Sequence, residues 1–139
     1  MSTKKKHRDT GIGFSTPLSR ETLENTNFRK VLFTGKHAQL VVMCLEPGED
    51  IGAEVHADVD QFFRVEQGEA RFVFNHREER LAWPGDAVVV EAGTLHNVFN
   101  PSTTSALKLS TIYSPPNHPD GTIQATKAEA EAAEVAAHR

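Results

Sequence analysis

The stretch Pro47–Gly68, reading PGEDIGAEVHADVDQFFRVEQG, sets the organisation of this chain because it brings three metal-ligand side chains close together. Glu54 and His56 stand two residues apart, so in a strand both side chains point to one face, with Cα atoms about 6.6 Å apart. A turn at residues 57–60 would fold the next strand back beside the first and aim Gln61 at the same place. The spacing therefore predicts a polar cluster inside a small β-barrel.

A second stretch, Gly85–Asn100, reading GDAVVVEAGTLHNVFN, contains a further candidate ligand, His96. We predict that one divalent metal ion per chain binds to Glu54, His56, Gln61 and His96. Imidazole, carboxylate and amide oxygen together suit Zn, Ni, Mn, Fe or Co, and the sequence leaves the identity open among them. One ionised carboxylate against a dication leaves a net charge of about +1, which favours polarising a carbonyl or hydroxyl group of a substrate.

Short apolar segments separated by Gly, Pro or Asn recur about every ten residues and predict β-strands. The predicted strands are Lys30–Thr34, Ala38–Glu46, Ile51–His56, Gln61–Glu66, Ala70–Phe74, Arg77–Ala82, Ala87–Glu91, Leu95–Asn100 and Ala106–Tyr113. We expect Ile51–His56 and Gln61–Glu66 to pair with each other. No helical periodicity occurs before residue 120, so the pattern predicts an all-β fold, an antiparallel jelly-roll β-barrel.

The two ends of the chain differ in composition from this central part. Residues 1–25 carry charges, glycines and few large apolar groups and predict an N-terminal arm, with an edge strand or a subunit contact as alternatives. Residues 26–123 form the predicted barrel. Residues 124–139 are rich in Ala and Glu and predict a short C-terminal helix, in which Thr126 as N-cap and Glu129 form a capping box.

Composition limits the classes of partner. The 139 residues, which suit a single domain, carry a net charge of −4, and this gives no electrostatic reason to expect nucleic acid or an anionic membrane as partner. No apolar run follows the basic residues 4–8, and no later segment is long enough to span a bilayer, so we expect no membrane partner and a cytoplasmic location. Cys44 lies in an apolar run and is interpreted as a reduced core thiol.

Several further side chains are candidates for chemistry. Tyr113 shares a strand face with inward residues and is predicted to bind substrate at the pocket mouth, with a rim position as the alternative. Lys108 points outward in the same register. His118 lies in a Pro-rich segment that either closes over the barrel mouth or stays exposed. Asp58 and Asp60 are expected to bond backbone amides in their turn, with a general-base role as the alternative.

Two spaced motifs resemble those of the cupin superfamily over about residues 47–113. The first cupin motif has a glycine, two histidines, a glutamate and a final glycine, and the matching positions are Gly48, Glu54, His56, Gln61 and Gly68. The second has glycine, proline, glycine, histidine and asparagine, and the matching positions are Gly85, Glu91, Gly93, His96 and Asn100. The departures are Glu54 for histidine, Gln61 for glutamate and Glu91 for proline.

This resemblance implies a metal-binding cupin barrel and a homodimer, for which an outward Phe62 suits a subunit contact. Two His, one Glu and one Gln are also the ligand types of the zinc site in type I phosphomannose isomerases, although Glu and Gln occupy opposite positions there. The tail from residue 111 to 128 resembles small single-domain cupins labelled mannose-6-phosphate-isomerase-like. The resemblance thus implies a metal-dependent, isomerase-like enzyme acting on a small sugar or sugar phosphate.

Two other functions stay open from the sequence. Glu54, His56 and His96 alone could form the two-His-one-carboxylate triad of a non-haem Fe(II) dioxygenase. A non-catalytic cupin that binds a small molecule is the other alternative, since one fold hosts many functions. Against the isomerase, the sequence offers no evident phosphate clamp inside the barrel, because Arg64 is predicted to point outward.

Overall fold

The structure, a computed structural model, describes residues 11–137 and consists mainly of antiparallel strands. In chain order the elements are α1 (Leu18–Glu24), β1 (Arg29–Thr34), β2 (Gln39–Leu45), β3 (Asp60–Gln67), β4 (Ala70–Phe74), β5 (Glu78–Ala82), β6 (Ala87–Val90), β7 (His96–Phe99), β8 (Leu107–Ser114), β9 (Ile123–Gln124) and α2 (Lys127–Ala137). The first ten residues of the predicted arm and the last two of the predicted C-terminal helix lie outside the described residues.

Within residues 11–137 the strands form two antiparallel sheets. The larger has the order β6-β3-β8-β2-β1-β9, and the smaller has the order β5-β4-β7. The segment 50–54 runs beside the edge strand β7 and contacts it through two isolated bridges, Asp50 with Phe99 and Glu54 with His96. It therefore widens the smaller sheet. The predicted all-β jelly-roll with a C-terminal helix is therefore confirmed.

The predicted pairing of Ile51–His56 with the strand from Gln61 is wrong. The Glu54 N–H donates to the His96 carbonyl at 2.9 Å and the His96 N–H to the Glu54 carbonyl at 3.0 Å, so this segment pairs with β7. Strand β3 instead lies between β6 and β8. The turn at 57–60 carries the chain from one sheet to the other and does not close a hairpin.

The part of the N-terminal arm that the structure describes includes a helix that the sequence analysis did not predict. Helix α1 begins after Pro17, whose φ of −74° suits a helix start. It packs against β8 and β3 and buries its own residue Thr22 in this contact. The Lys108 ammonium donates to the Leu23 carbonyl at 2.6 Å, which confirms that Lys108 points away from the barrel interior.

The interior between the sheets is apolar over most of its depth. Its largest fully buried apolar side chains are Phe63, Phe72, Met43, Leu45, Leu107, Leu109, Val41, Val65 and Val98. Burial along β3 alternates as predicted, with Gln61, Phe63 and Val65 inside and the residues between them half-buried. Phe62 therefore faces away from the interior, and its role as a subunit contact stays a prediction.

Helix α2 begins with the N-cap bond of the predicted capping box, but the returning bond of Glu129 goes to Ala125 and not to Thr126. The Glu129 N–H donates to Thr126 Oγ1 at 3.1 Å, and the Ala125 N–H donates to Glu129 Oε1 at 3.0 Å. The Asp50 carboxylate accepts a hydrogen bond from Lys127 and so attaches the first turn of the helix to the barrel. Neither helix in the part of the chain described here is long and apolar enough to cross a membrane.

Candidate metal centre and its cavity

Backbone pairing brings two of the predicted ligands to one place. Glu54 and His96 are directly opposed in an antiparallel bridge, so their side chains leave the sheet on the same face. His56, two residues after Glu54, joins them: its Nε2 lies 3.1 Å from Glu54 Oε1, and its ring centroid lies 5.7 Å from that of His96. The predicted side chains thus lie together even though the predicted partner strand is wrong, and their role as metal ligands stays a prediction.

One ligand atom from each of Glu54, His56 and His96 lies within 4.8 Å of the other two. Ligand atoms about 2.1 Å from a shared zinc-like ion would be at most about 4.2 Å apart, so a small inward movement of the side chains completes such a site. Burial opposes ionisation of Glu54, but the hydrogen bond from His56, together with the charge of Arg29, holds the pKa of Glu54 below its usual value. The cluster therefore offers an ionised carboxylate and two imidazoles.

The ring of His96 is oriented by a backbone contact. Its Nδ1 lies 2.9 Å from the Thr94 carbonyl oxygen, and only a protonated Nδ1 can donate to that acceptor. In the neutral form of this imidazole, Nε2 then carries the lone pair that a metal needs. A backbone carbonyl fixing one imidazole nitrogen while the other binds a metal is a common arrangement in metal sites.

Gln61 has a buried oxygen without a partner. The side chain is 2% exposed, its Nε2 donates to Thr111 Oγ1 at 3.0 Å, and its Oε1 makes no hydrogen bond. Gln61 lies opposite Tyr113 in the register of β3 with β8, and the Tyr113 ring centroid is 6.0 Å from that of His56. An unsatisfied buried oxygen costs free energy, and a cation would remove that cost. Gln61 therefore fits a metal site.

The turn between His56 and Gln61 is attached to the loop that precedes His96. Asp60 Oδ1 accepts the Ala92 N–H at 2.9 Å, and the Gly93 N–H donates to the His56 carbonyl at 2.8 Å. Gly93 has a φ of +86°, which favours glycine at this position. Asp60 thus bonds a backbone amide of a different loop and not, as predicted, one of its own turn, and Asp58 is exposed.

Asn100 and Gly68 of the two motifs have structural roles. The Asn100 amide donates to the carbonyl oxygens of Leu45, Glu46 and Ser105, so it joins three segments at the end of β7. Gly68 has a φ of +88°, and a Cβ there would lie 3.0 Å from the Ala106 carbonyl oxygen. Both residues therefore stabilise the barrel structure.

A cavity of about 620 Å³ opens beside the cluster. Its walls are the start of β1, the segment 51–56, the loop 117–119 and helix α2, and Glu54 and His56 are part of its lining. Lys127 of α2 also lines it, but its charge is paired with Asp50. The cavity is large enough for a small polar molecule that reaches the cluster.

His118 lines this cavity, and Tyr113 lies behind it. Tyr113 is only 1% exposed, and burial raises its pKa to about 12. Its hydroxyl lies 3.2 Å from His118 Nε2. Burial, reinforced by the charge of Arg29, lowers the pKa of His118 to about 4, so its imidazole is neutral at neutral pH. The inward direction predicted for Tyr113 is confirmed, while its contact with substrate stays a prediction.

Arg29 lines the cavity and was missed by the sequence analysis. The predicted first strand began at Lys30, one residue too late, whereas β1 begins at Arg29. Arg29 and Val31 are the buried residues at the start of β1, on the side facing the interior. Extending the alternation of Val31 back by two residues would have placed a guanidinium inside the barrel.

Comparison with known proteins agrees with this architecture. Residues 41–113 match the family described as Cupin domain. The chain is 48% identical over 126 residues to the uncharacterized protein YrkC of Bacillus subtilis, covering 87% of this chain and 67% of that protein. It is 46% identical over 105 residues to an uncharacterized protein of Acanthamoeba polyphaga mimivirus, covering 74% and 66%. The chain thus spans about two thirds of the length of both relatives.

A solved structure is also similar. The crystal structure of BH2720 from Bacillus halodurans superposes with a TM-score of 0.83 at 42% sequence identity, covering 89% of this chain and 98% of that one. The similarity extends over the barrel and the segments that flank it.

Proposed function

Because the chain belongs to the cupin domain family, we propose that it binds one divalent metal ion beside a cavity for a small oxygen-bearing molecule. The proposed ligands are Glu54, His56, Gln61 and His96. The reaction class that we propose is an isomerase-like proton transfer between neighbouring carbons of a sugar or sugar-phosphate-like substrate. A homodimer in the cytoplasm remains the expectation for its assembly and location.

The partnerless oxygen of Gln61 is the observation that carries this proposal. A dioxygenase triad needs one carboxylate and two histidines and leaves a neighbouring amide without a function. Here the Gln61 amide is buried, its nitrogen is held by Thr111, and its oxygen has no partner. That arrangement supports Gln61 as a fourth ligand, and the resulting set of two His, one Glu and one Gln has the ligand types of the zinc site in type I phosphomannose isomerases, which is why we propose the isomerase-like function first.

When bound, the metal would polarise a carbonyl or hydroxyl oxygen of the substrate. Charge balance, substrate orientation and proton transfer are assigned to protein residues. Glu54 provides the balancing negative charge, and the cavity walls orient the substrate. His118 is the proposed proton carrier, because its neutral imidazole lines the cavity and exchanges a hydrogen bond with the Tyr113 hydroxyl at 3.2 Å. The Gln39 side chain fixes the backbone of His118, since its Oε1 accepts the His118 N–H at 3.0 Å.

Metal content of the purified protein, measured by mass spectrometry, tests the ligand set. Wild type is expected to contain about one divalent ion per chain, and His96→Ala is expected to lose it. His76→Ala, which removes an exposed imidazole from a hairpin turn, is the matched control and should keep the metal. Wild type that stays metal-free after reconstitution at neutral pH would contradict the proposed site.

Substitution of Gln61 tests its oxygen separately. Gln61→Met keeps the side-chain length but removes the oxygen, and we expect metal affinity to fall about tenfold, as for weakened ligand support elsewhere. Gln61→Glu restores an oxygen and adds a negative charge, so its affinity should equal or exceed that of wild type. Equal affinities in all three proteins would show that Gln61 is not a ligand.

Turnover separates the enzyme from the two alternatives. The metal-loaded protein is assayed for aldose–ketose interconversion across sugars and sugar phosphates, with His118→Gln as the variant expected to lose activity. Metal-dependent oxygen uptake with a small organic substrate would instead indicate the dioxygenase. Saturable binding of a small molecule without turnover would indicate the non-catalytic cupin.

A further inference from the structure

Arg29 is a buried cation in the cavity wall. Its side chain is 6% exposed, and its Nε makes no hydrogen bond. Its Nη1 donates to Gln124 Oε1 at 2.8 Å, and the guanidinium also interacts with the Tyr113 hydroxyl; both partners are neutral and leave the positive charge uncompensated. Among residues 11–137, the carboxylates that form ion pairs within 4.0 Å pair with other cations. Burying an unpaired guanidinium is costly, so a fold that retains one indicates a missing anion.

The charges around the cavity point to the same missing partner. Glu54 is near enough for the charge of Arg29 to favour its ionisation, but its hydrogen bond goes to His56. With a dication on the cluster, the ion, Glu54 and Arg29 together leave roughly two formal positive charges in the buried part of the cavity. Lys127 is neutralised by Asp50, and the two other carboxylates of the lining, Glu131 and Glu134, are exposed to water.

We propose, on the basis of the proposed metal site, that Arg29 is the anion-binding residue of this cavity and that the bound molecule carries a carboxylate or phosphate group. A guanidinium presents its N–H donors in a planar fork that matches two oxygens of either group. The anion would contact Arg29 while a neighbouring hydroxyl or carbonyl oxygen of the same molecule faces the cluster of Glu54, His56 and His96. Arg29 would then be the phosphate or carboxylate clamp that is not evident from the sequence.

A purely structural role does not account for Arg29. Its bond to Gln124 holds the two-residue strand β9, and its guanidinium lies 5.3 Å from the centre of the Phe28 ring. A neutral glutamine could hold Gln124 equally well without burying a charge. These contacts leave Nε unsatisfied in the cavity lining, and an anionic ligand would satisfy it.

Calorimetric titration with two anions and one neutral molecule tests the proposal. The probes are malonate, inorganic phosphate and erythritol, titrated at constant ionic strength into metal-free and metal-loaded wild type. We expect saturable binding of at least one anion to both forms and none of erythritol to the metal-free form. Arg29→Met should weaken anion binding about tenfold or more, as expected for loss of a charged hydrogen-bond pair. The tighter of the two anions distinguishes a carboxylate from a phosphate ligand.

Arg80→Met is the matched control. It removes the same charge by the same substitution on an exposed strand, where Arg80 pairs with Glu78, and anion binding should stay unchanged. Arg29→Lys keeps the charge but loses the fork, and it should bind with intermediate affinity if Arg29→Met fails to fold. Metal content is measured in every variant and should remain at the wild-type level.

The outcomes separate this proposal from the metal site. Anion binding that depends on Arg29, in a protein that takes up no metal even after reconstitution, would support the anion subsite and contradict the proposed metal site. Normal metal content with equal anion affinity in wild type and Arg29→Met would overturn the anion subsite alone. Absence of saturable anion binding to wild type would overturn it as well.

Discussion

The two halves of the barrel interior are lined by the same strands but have opposite chemistry. In one half, β3 and β8 present Val65 and Leu109, which face each other in register and are fully buried. In the other half, the same two strands present Gln61 opposite Tyr113. The change occurs at the pair Phe63 and Thr111. The apolar half supplies the hydrophobic stabilisation, and this allows the polar half to keep groups that are poorly satisfied without a ligand.

Truncating the apolar half at this boundary should have the largest effect on stability. Phe63 is 1% exposed, and its ring packs edge-on against Phe72 with centroids 5.0 Å apart. Phe63→Ala is expected to lower the free energy of unfolding by about 3–5 kcal/mol, because it leaves a cavity. Urea denaturation measures this change.

The matched change on the opposed residue is Thr111→Val. Its hydroxyl accepts the hydrogen bond from Gln61 Nε2, so the substitution keeps the shape but leaves that donor without a partner. We expect a loss of only about 1–3 kcal/mol, with weaker metal binding. A cost for Thr111→Val equal to that for Phe63→Ala would mean that the polar half also carries the fold.

Metal addition should stabilise the polar half. At a free ion concentration 100 times the dissociation constant, a metal that binds only the folded state raises the free energy of unfolding by about 2.7 kcal/mol. A chelator should remove this gain in wild type, as a lower Tm, and have no effect on His96→Ala. A Tm of wild type that is the same with metal and with chelator would contradict the difference that we assign to the two halves.

The sequence predicted the strands better than it predicted their partners. Alternation and turn residues placed β4 at its observed bounds, because they are local properties of the chain. The partner of Glu54 is a long-range choice between two sheets, which local patterns do not contain. Arg29 was missed for a different reason: element boundaries are uncertain by a few residues, and it begins its strand. Helix α1 is seven residues long, too short for a clear apolar periodicity.

Acid should destabilise the polar half through His118. Its pKa falls from 6.5 in the unfolded chain to about 4 in the folded one, mainly because of burial, with Arg29 and His56 opposing protonation and Glu54 favouring it. The His118 imidazole is therefore neutral in both states above about pH 6.5, and as the pH falls the unfolded chain binds the proton first. Its contribution to stability is therefore complete above about pH 6.5 and is lost as the pH falls towards 4.

Urea denaturation of the chelator-treated protein measures this loss. Between pH 7 and pH 4.5 wild type should lose about 1–2 kcal/mol more than His118→Gln, a value reduced from the full shift because His118 is partly exposed. His76→Gln, at an exposed hairpin turn, should follow wild type. Parallel pH profiles for wild type and His118→Gln would show that another group is responsible.

The smallest expected effect concerns the helix that covers the polar half. Helix α2 has no fully buried residue; it is attached by half-buried Ala130, which packs against the core, by its N-cap bond and by the Lys127–Asp50 contact. Thr126→Ala removes the hydroxyl that accepts the Glu129 N–H and should cost about 1 kcal/mol. Because this helix contributes little to the apolar half, the loss should appear as faster hydrogen exchange in residues 127–137 and leave exchange in β2 unchanged. Thr126→Ser, which keeps the hydroxyl, should exchange like wild type. Faster exchange in β2 as well would mean that helix α2 and the apolar half unfold as one unit. The two halves would then not be independent.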